Sequence, residues 1–152
     1  MSGLKKERLL VIIAIIVSIC IVSACSNKNI VTKKSSEDEE STESLGETYG
    51  FTSFSVKIDT KDKKEALVAN YDEKRDKTEA VYENKLDDAY LHGDKAMDKL
   101  DTIFKDLAIE PDLDDEDMIK NTSEAFEIAD YKSLKLTIKF KGHDTKELMM
   151  MK

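Results

Sequence analysis

Apolar and polar residues alternate most regularly near the C-terminus. Over residues 134–140 the apolar positions are every second residue: Leu134, Leu136, Ile138 and Phe140. This period of two predicts a strand with one buried face. Similar alternation over 51–59, 65–71 and 78–84 predicts three earlier strands; for 78–84 the alternative is an extension of a helix, because Glu and Ala are poor strand formers. Residues 145–151 follow a polar turn as a fifth strand, in which the run Met149–Met151 departs from regular alternation.

A segment whose apolar residues have helical spacing lies between the third and fourth predicted strands. From Asp94 onward, apolar residues recur three or four positions apart: Ala96, Met97, Leu100, Ile103, Phe104 and Leu107. This stripe predicts an amphipathic helix, which Pro111 prevents from continuing. A second helix is predicted from Asp114, with an acidic first turn. Strands, helices and strands in this order indicate an α+β domain, an antiparallel sheet of about five strands with two helices on one face.

The N-terminus carries a different pattern. Residues 9–24 contain no charge and follow Lys5, Lys6 and Arg8. As a helix this run of 16 residues would be only about 24 Å long, and a bilayer core is about 30 Å thick. A basic flank, a short apolar run and a small-residue exit are typical of a cleaved signal peptide.

A lipid-attachment motif ends the apolar run. Val22, Ser23, Ala24 and Cys25 resemble the lipobox of bacterial lipoproteins. The resemblance implies cleavage between Ala24 and Cys25, with a diacylglycerol thioether (palmitate or similar chains) on Cys25. N-acylation of Cys25 is left open. The alternative is an uncleaved signal anchor with an incidental cysteine.

This interpretation accounts for both cysteines. Cys20 lies inside the apolar run and would leave with the signal peptide. The mature chain would begin at Cys25, and its single cysteine would be acylated, which excludes an internal disulfide. The expected location is the outer face of the cell membrane of a Gram-positive bacterium, with the membrane as a partner through Cys25.

Polar residues dominate the next segment. Residues 35–44 contain no apolar side chain and many acidic ones. Such a segment buries too little surface to offset its chain entropy. We therefore predict three parts: a signal peptide over 1–24, a lipidated N-terminus with a disordered acidic linker over 25–49, and a folded domain over 50–152.

Charge and motif content limit the chemistry. The net charge of −8 argues against a nucleic-acid partner, because binding that polyanion needs a basic face. The sequence has no Gly-x-Ser-x-Gly nucleophile motif and no Gly-rich phosphate loop. His92 and His143 are far apart in sequence and are interpreted as turn or helix-entry residues. No catalytic residue, cofactor or metal site is predicted.

One acidic cluster stands at the start of the second predicted helix. Residues 112–117 include five carboxylates, which raises the question of calcium. An EF-hand loop beginning at Asp112 would need Gly at position 117 and Glu at position 123, where the chain has Asp117 and Ser123. The favoured interpretation is an acidic helix N-terminus, and a weaker calcium site of another type is the alternative.

Three segments carry a family resemblance: Phe54–Asp59, Gly93–Leu100, and Leu134–Phe140 followed by Gly142. They resemble the YusW-like lipoproteins of Firmicutes over about residues 51–150. The resemblance implies the architecture, an acidic linker and a lipoprotein location. It implies no activity and no site residues.

Two classes of function follow. The first is a lipid-anchored binding module whose partner is an envelope protein or peptide, with an exposed sheet edge as the docking surface. The alternative is a small envelope enzyme with a carboxylate-based site. The absence of a recognisable catalytic motif favours the first class.

Overall fold

The computed structural model describes residues 28–32 and 45–152. The strands and helices follow one another in this order: β1 (Ile30–Val31), β2 (Phe51–Asp59), β3 (Leu67–Glu73), β4 (Thr78–Asn84), β5 (Ala89–His92), α1 (Asp94–Asp106), α2 (Asp115–Ala125), β6 (Ser133–Phe140) and β7 (Thr145–Met151). Within these residues, neither helix is long and apolar enough to cross a bilayer.

One antiparallel sheet contains all the described strands. Its spatial order is β1-β4-β3-β2-β6-β7, and β5 pairs with the same side of β4 as β1 does. The centre is β2, which pairs with β3 on one side and with β6 on the other. The predicted α+β class is therefore confirmed.

Alternation along the strands places the core on one face of the sheet. In β6, Leu134, Leu136 and Ile138 are fully buried, whereas Lys135 and Lys139 are exposed. The two helices pack on the buried face, α1 against β4 and β5 and α2 against β6 and β7. The other face carries mostly polar side chains and is covered by neither α1 nor α2.

Phe104 of α1 joins the helix to the sheet. Its ring centroid lies between 5.0 and 5.6 Å from four other aromatic rings, those of Tyr49, Phe51, Phe54 and Tyr71. Aromatic pairs at these separations add stabilisation beyond the apolar area that they bury. The predicted apolar stripe of α1 is thus a core contact.

Strand number is the main difference from the sequence-based prediction. The prediction of about five strands is wrong, because the described residues form a sheet of seven. The two additional strands are β1, with two residues, and β5, with four. Segments this short do not contain enough residues to show a period of two, and their pairing with β4 defines them.

The strand β3, which is the second of the predicted strands, also begins later than predicted. It was expected from Glu65, but that residue has a positive φ of 47°. Its N–H donates to the Asp59 carboxylate at 2.6 Å, so it belongs to the turn after β2. The strand begins at Leu67.

The predicted linker over 25–49 differs from the structure at both ends. Residues 28–32 include β1, which pairs with β4. Tyr49 packs against the Phe104 ring and donates from its hydroxyl to Asp101 at 2.7 Å. Folded structure therefore begins before residue 50, and the remaining linker residues, 25–27 and 33–44, lie outside the described residues, as does the predicted signal peptide.

Candidate interaction surface

The residues of the predicted lipid-attachment site precede the described part of the chain. Val22, Ser23, Ala24 and Cys25 all lie before residue 28. The nearest described residue is Lys28, three positions after Cys25. Lipidation and cleavage therefore remain predictions from the sequence.

Different strands form the two edges of the sheet. At one end, β1 and β5 lie in line along β4. At the other end, β7 pairs with β6 over its whole length, from Lys139↔Thr145 to Ser133↔Met151. Among residues 28–32 and 45–152, no strand pairs with the outer side of β7, so it presents unpaired backbone groups.

Exposed apolar side chains mark the C-terminal half of β7. Met149 is 63% exposed and Met151 is 73% exposed. Edge strands in soluble proteins are usually protected by charged residues. In β7 the charged residues Lys146 and Glu147 lie in the first half, so the second half lacks this protection.

Several contacts hold β7 in place. Lys146 pairs with Asp115 of α2 at 2.8 Å. The N–H of Lys152, just after the strand, donates to the Lys132 carbonyl at 3.0 Å, and its ammonium group lies 4.1 Å from the centre of the Tyr131 ring. These contacts fix the free edge before any partner arrives, which lowers the entropic cost of binding.

The open face beside β7 is polar. The Ser55 hydroxyl donates to the side-chain oxygen of Asn70 at 2.6 Å, and Lys135 lies 3.5 Å from Glu147. These polar side chains form a hydrogen bond and an ion pair with one another across neighbouring strands. Met149 and Met151 therefore stand out as the apolar, unmatched positions at this end of the sheet.

The acidic cluster begins the second helix, as the favoured interpretation expected. The Asp114 carboxylate accepts from the Glu116 N–H at 2.9 Å. Asp115 is engaged by Lys146. Within the described ranges, no group of three or more His, Cys, Asp or Glu side chains is arranged to hold a metal ion.

Replacing Asp114 with Ala is expected to lower the free energy of unfolding by about 0.5–2 kcal/mol, because the cap is lost. The loss should be equal in calcium and in chelator. Urea denaturation measures it, and Asp112→Ala, an exposed change before the cap, is the control. A calcium-dependent rise in melting temperature that disappears in an Asp114→Ala, Glu116→Ala double variant would contradict this expectation.

The two histidines lie at separate places. His92 ends β5, and its Nδ1 lies 2.9 Å from the side-chain oxygen of Asn29. His143 lies in the turn between β6 and β7, where its N–H donates to the Phe140 carbonyl at 3.1 Å. The structure does not bring them together.

A small groove lies between the helices and the sheet. Its volume is about 120 Å³, below the roughly 300–1,000 Å³ typical of small-molecule sites. Its lining is mixed: Tyr82, Lys99, Thr102, Ile103, Asp106, Ala125, Phe126 and Glu127. It is a poorer candidate for a binding site than the β7 edge.

Two carboxylates have lowered pKa values. The Glu65 N–H, followed by the Ser133 hydroxyl, holds the pKa of Asp59 below its usual value. The Lys105 ammonium and the Tyr49 hydroxyl lower the pKa of Asp101. Burial, together with Asp101, raises the pKa of Tyr49. A general acid needs a raised carboxyl pKa, so these two groups instead have the character of structural acceptors.

Sequence reasoning named a sheet edge as the docking surface but not which edge. The only relevant signal was the run Met149–Met151, and it departs from a regular alternation of apolar and polar residues. The pairing of β7 with β6 is observed throughout, and it places Met149 and Met151 on the open face.

Comparison with known proteins supports the family resemblance. The family model described as "YusW-like protein" matches residues 52–142. No curated protein and no solved structure matches the chain. The match covers more than half of the chain and includes β2 to β6, and the chain therefore belongs to the YusW-like family.

Proposed function

We propose that this chain is a lipid-anchored, extracytoplasmic binding module of the cell envelope. Its anchor is the lipid on Cys25. Its binding surface is the free edge of β7, which adds an extended segment of an envelope protein as a further strand. The observation that carries the proposal is the unpaired outer side of β7 together with exposed Met149 and Met151.

The chemistry of strand addition fits this edge. Main-chain N–H and C=O groups supply hydrogen bonds whatever the sequence of the added strand, and alternate side chains supply specificity. Met149 and Met151 lie two positions apart on the open face, so they would contact alternate side chains of the new strand about 5 Å away. The preferred segment is therefore extended, with apolar residues at every second position.

Methionine suits such a surface for a further reason. Its side chain is unbranched and polarisable, so it adapts to apolar partners of different shapes. The neighbouring Lys135 and Glu147 satisfy each other and need no partner charge. The binding energy would come mainly from the backbone and from the two methionines.

Photo-crosslinking in native membranes tests this surface. A photoreactive phenylalanine analogue at Met151 should crosslink one envelope protein, and peptide mapping should place the crosslink in an extended segment with alternating apolar residues. The matched control is the same analogue at Lys61, an exposed position in the β2–β3 turn, which should give no such product.

A binding measurement completes the test. A synthetic peptide with the mapped sequence should bind the purified domain, and Met149→Lys should weaken binding about tenfold or more, because an ammonium group loses favourable burial at an apolar contact. Thermal melting checks that the variant is folded. Unchanged binding by Met149→Lys, or equal crosslinking from position 61, would contradict the proposal.

A further inference from the structure

The segment just after Cys25 is fixed to one edge of the sheet. Ile30 and Val31 pair with Glu79 and Thr78 of β4. The Ala80 N–H donates to the Asn29 carbonyl at 2.8 Å. This short segment is therefore part of the sheet.

Further contacts fix both ends of the segment. The Thr32 N–H donates to one oxygen of the Asp94 carboxylate at 2.5 Å, and the Thr32 hydroxyl donates to the other. The Asn29 side chain lies 2.9 Å from His92. Val31 packs against the core. Backbone, polar and apolar contacts thus hold residues 28–32 in one position.

Gly93 makes the close approach of this segment feasible. Its φ is +59°, a conformation that favours glycine. A Cβ at this position would lie 2.6 Å from the carbonyl oxygen of Ile30 and 2.9 Å from that of Lys28. The bend from β5 into α1 and the passage of the N-terminal segment therefore both require glycine.

The docked segment sets how far the domain lies from Cys25. Three residue steps separate Cys25 from Lys28, which span at most about 11 Å. A linker that left the domain only at residue 49 would span up to about 80 Å. Residues 33–44 instead connect two docked segments, so they do not contribute to this distance.

The edge nearest Cys25 also carries exposed apolar side chains. Tyr90 of β5 is 53% exposed and Ile30 of β1 is 37% exposed. Both lie on the open face, because they pair with Glu83 and Glu79 of β4. Lys28, two residues before Ile30, is also exposed. Tyrosine and lysine are typical of membrane–water interfaces.

We infer that the edge formed by residues 28–32 and 89–92 is a membrane-contact surface, and that its partner is the headgroup region of the bilayer that holds the lipid on Cys25. The inference rests on the proposed anchor. Covalent attachment at most about 11 Å away keeps the local lipid concentration high, so weak contacts suffice. The free edge of β7 then points away from the bilayer, across five strand spacings or about 24 Å.

Depth-dependent fluorescence quenching tests this orientation. The chain contains no Trp, so Tyr90→Trp and Met149→Trp each introduce a single probe at opposite ends of the sheet. The protein, beginning at Cys25, is coupled through that unique thiol to a maleimide lipid in phosphatidylcholine vesicles that contain a headgroup nitroxide. Quenching should be about threefold or more stronger for Tyr90→Trp, because the probes lie about 24 Å apart.

A spacer insertion is the control. About twelve Gly and Ser residues between Asn27 and Lys28 add roughly 20 Å of reach and leave every described contact unchanged. Quenching of Tyr90→Trp should then fall to the level of Met149→Trp. Equal quenching of the two variants without the spacer, or no effect of the spacer, would overturn the inference. In this experiment the lipid is attached to Cys25 chemically. The result therefore tests the membrane-contact surface even if the cell does not lipidate Cys25.

Discussion

Replacing Phe104 with Ala is expected to lower the free energy of unfolding by about 3–5 kcal/mol. Phe104 is buried, and four aromatic rings surround its ring within 5.6 Å. Truncation removes these contacts and leaves a cavity between α1 and the sheet. The loss is a large part of the roughly 5–15 kcal/mol that stabilises a typical domain.

Urea denaturation of the chain beginning at Cys25 measures this effect. Tyr90→Ala is the matched control, because it also removes an aromatic side chain, but one that is about half exposed. The control should cost much less, about 1 kcal/mol or below. A loss below about 1 kcal/mol for Phe104→Ala would contradict its central place in the core.

Replacing Cys25 with Ala is expected either to block cleavage of the signal peptide or to release the domain from the membrane. Each buried CH₂ of an acyl chain contributes about 0.8 kcal/mol, and one chain binds only reversibly, so stable retention needs the two chains of a diacylglycerol. Without the Cys25 thiol there is no site for the thioether.

Membrane fractionation and mass spectrometry of the mature N-terminus measure this outcome. Cys20→Ala is the control, since Cys20 lies in the predicted signal peptide and its loss should leave retention unchanged. If Cys25→Ala is processed and retained as the wild type is, then the lipoprotein interpretation is wrong. That result would leave the docked position of residues 28–32 unaffected, because the contacts that fix it are with β4, His92 and Asp94.

The sequence predicted the main elements of the domain because their signals are local. The alternation in β6 and the spacing of Leu100, Ile103 and Phe104 in α1 each repeat over enough residues to identify the element and its buried face. The cap at Asp114 was also predictable, since it involves residues only two positions apart. Family membership followed from the same patterns and is confirmed over residues 52–142.

The sequence was less informative about the candidate surface. It identified Met149–Met151 as irregular and a sheet edge as a docking surface, but strand order decides which strands form the edges. That order depends on pairing between distant segments, such as β2 with β6, which no local pattern encodes. Two residues are enough for β1 because contacts of Asn29, Val31 and Thr32 add to its pairing with β4.

By itself, then, the sequence determined the α+β class, five of the strands, both helices and the motif that predicts lipidation at Cys25. Only the tertiary structure decided that residues 28–32 join the sheet and that β7 is left free. The physical reason is the range of the interactions. Periodicity and capping act over a few residues, whereas the contacts of Thr32 with Asp94 and of Tyr49 with Asp101 join positions 62 and 52 residues apart.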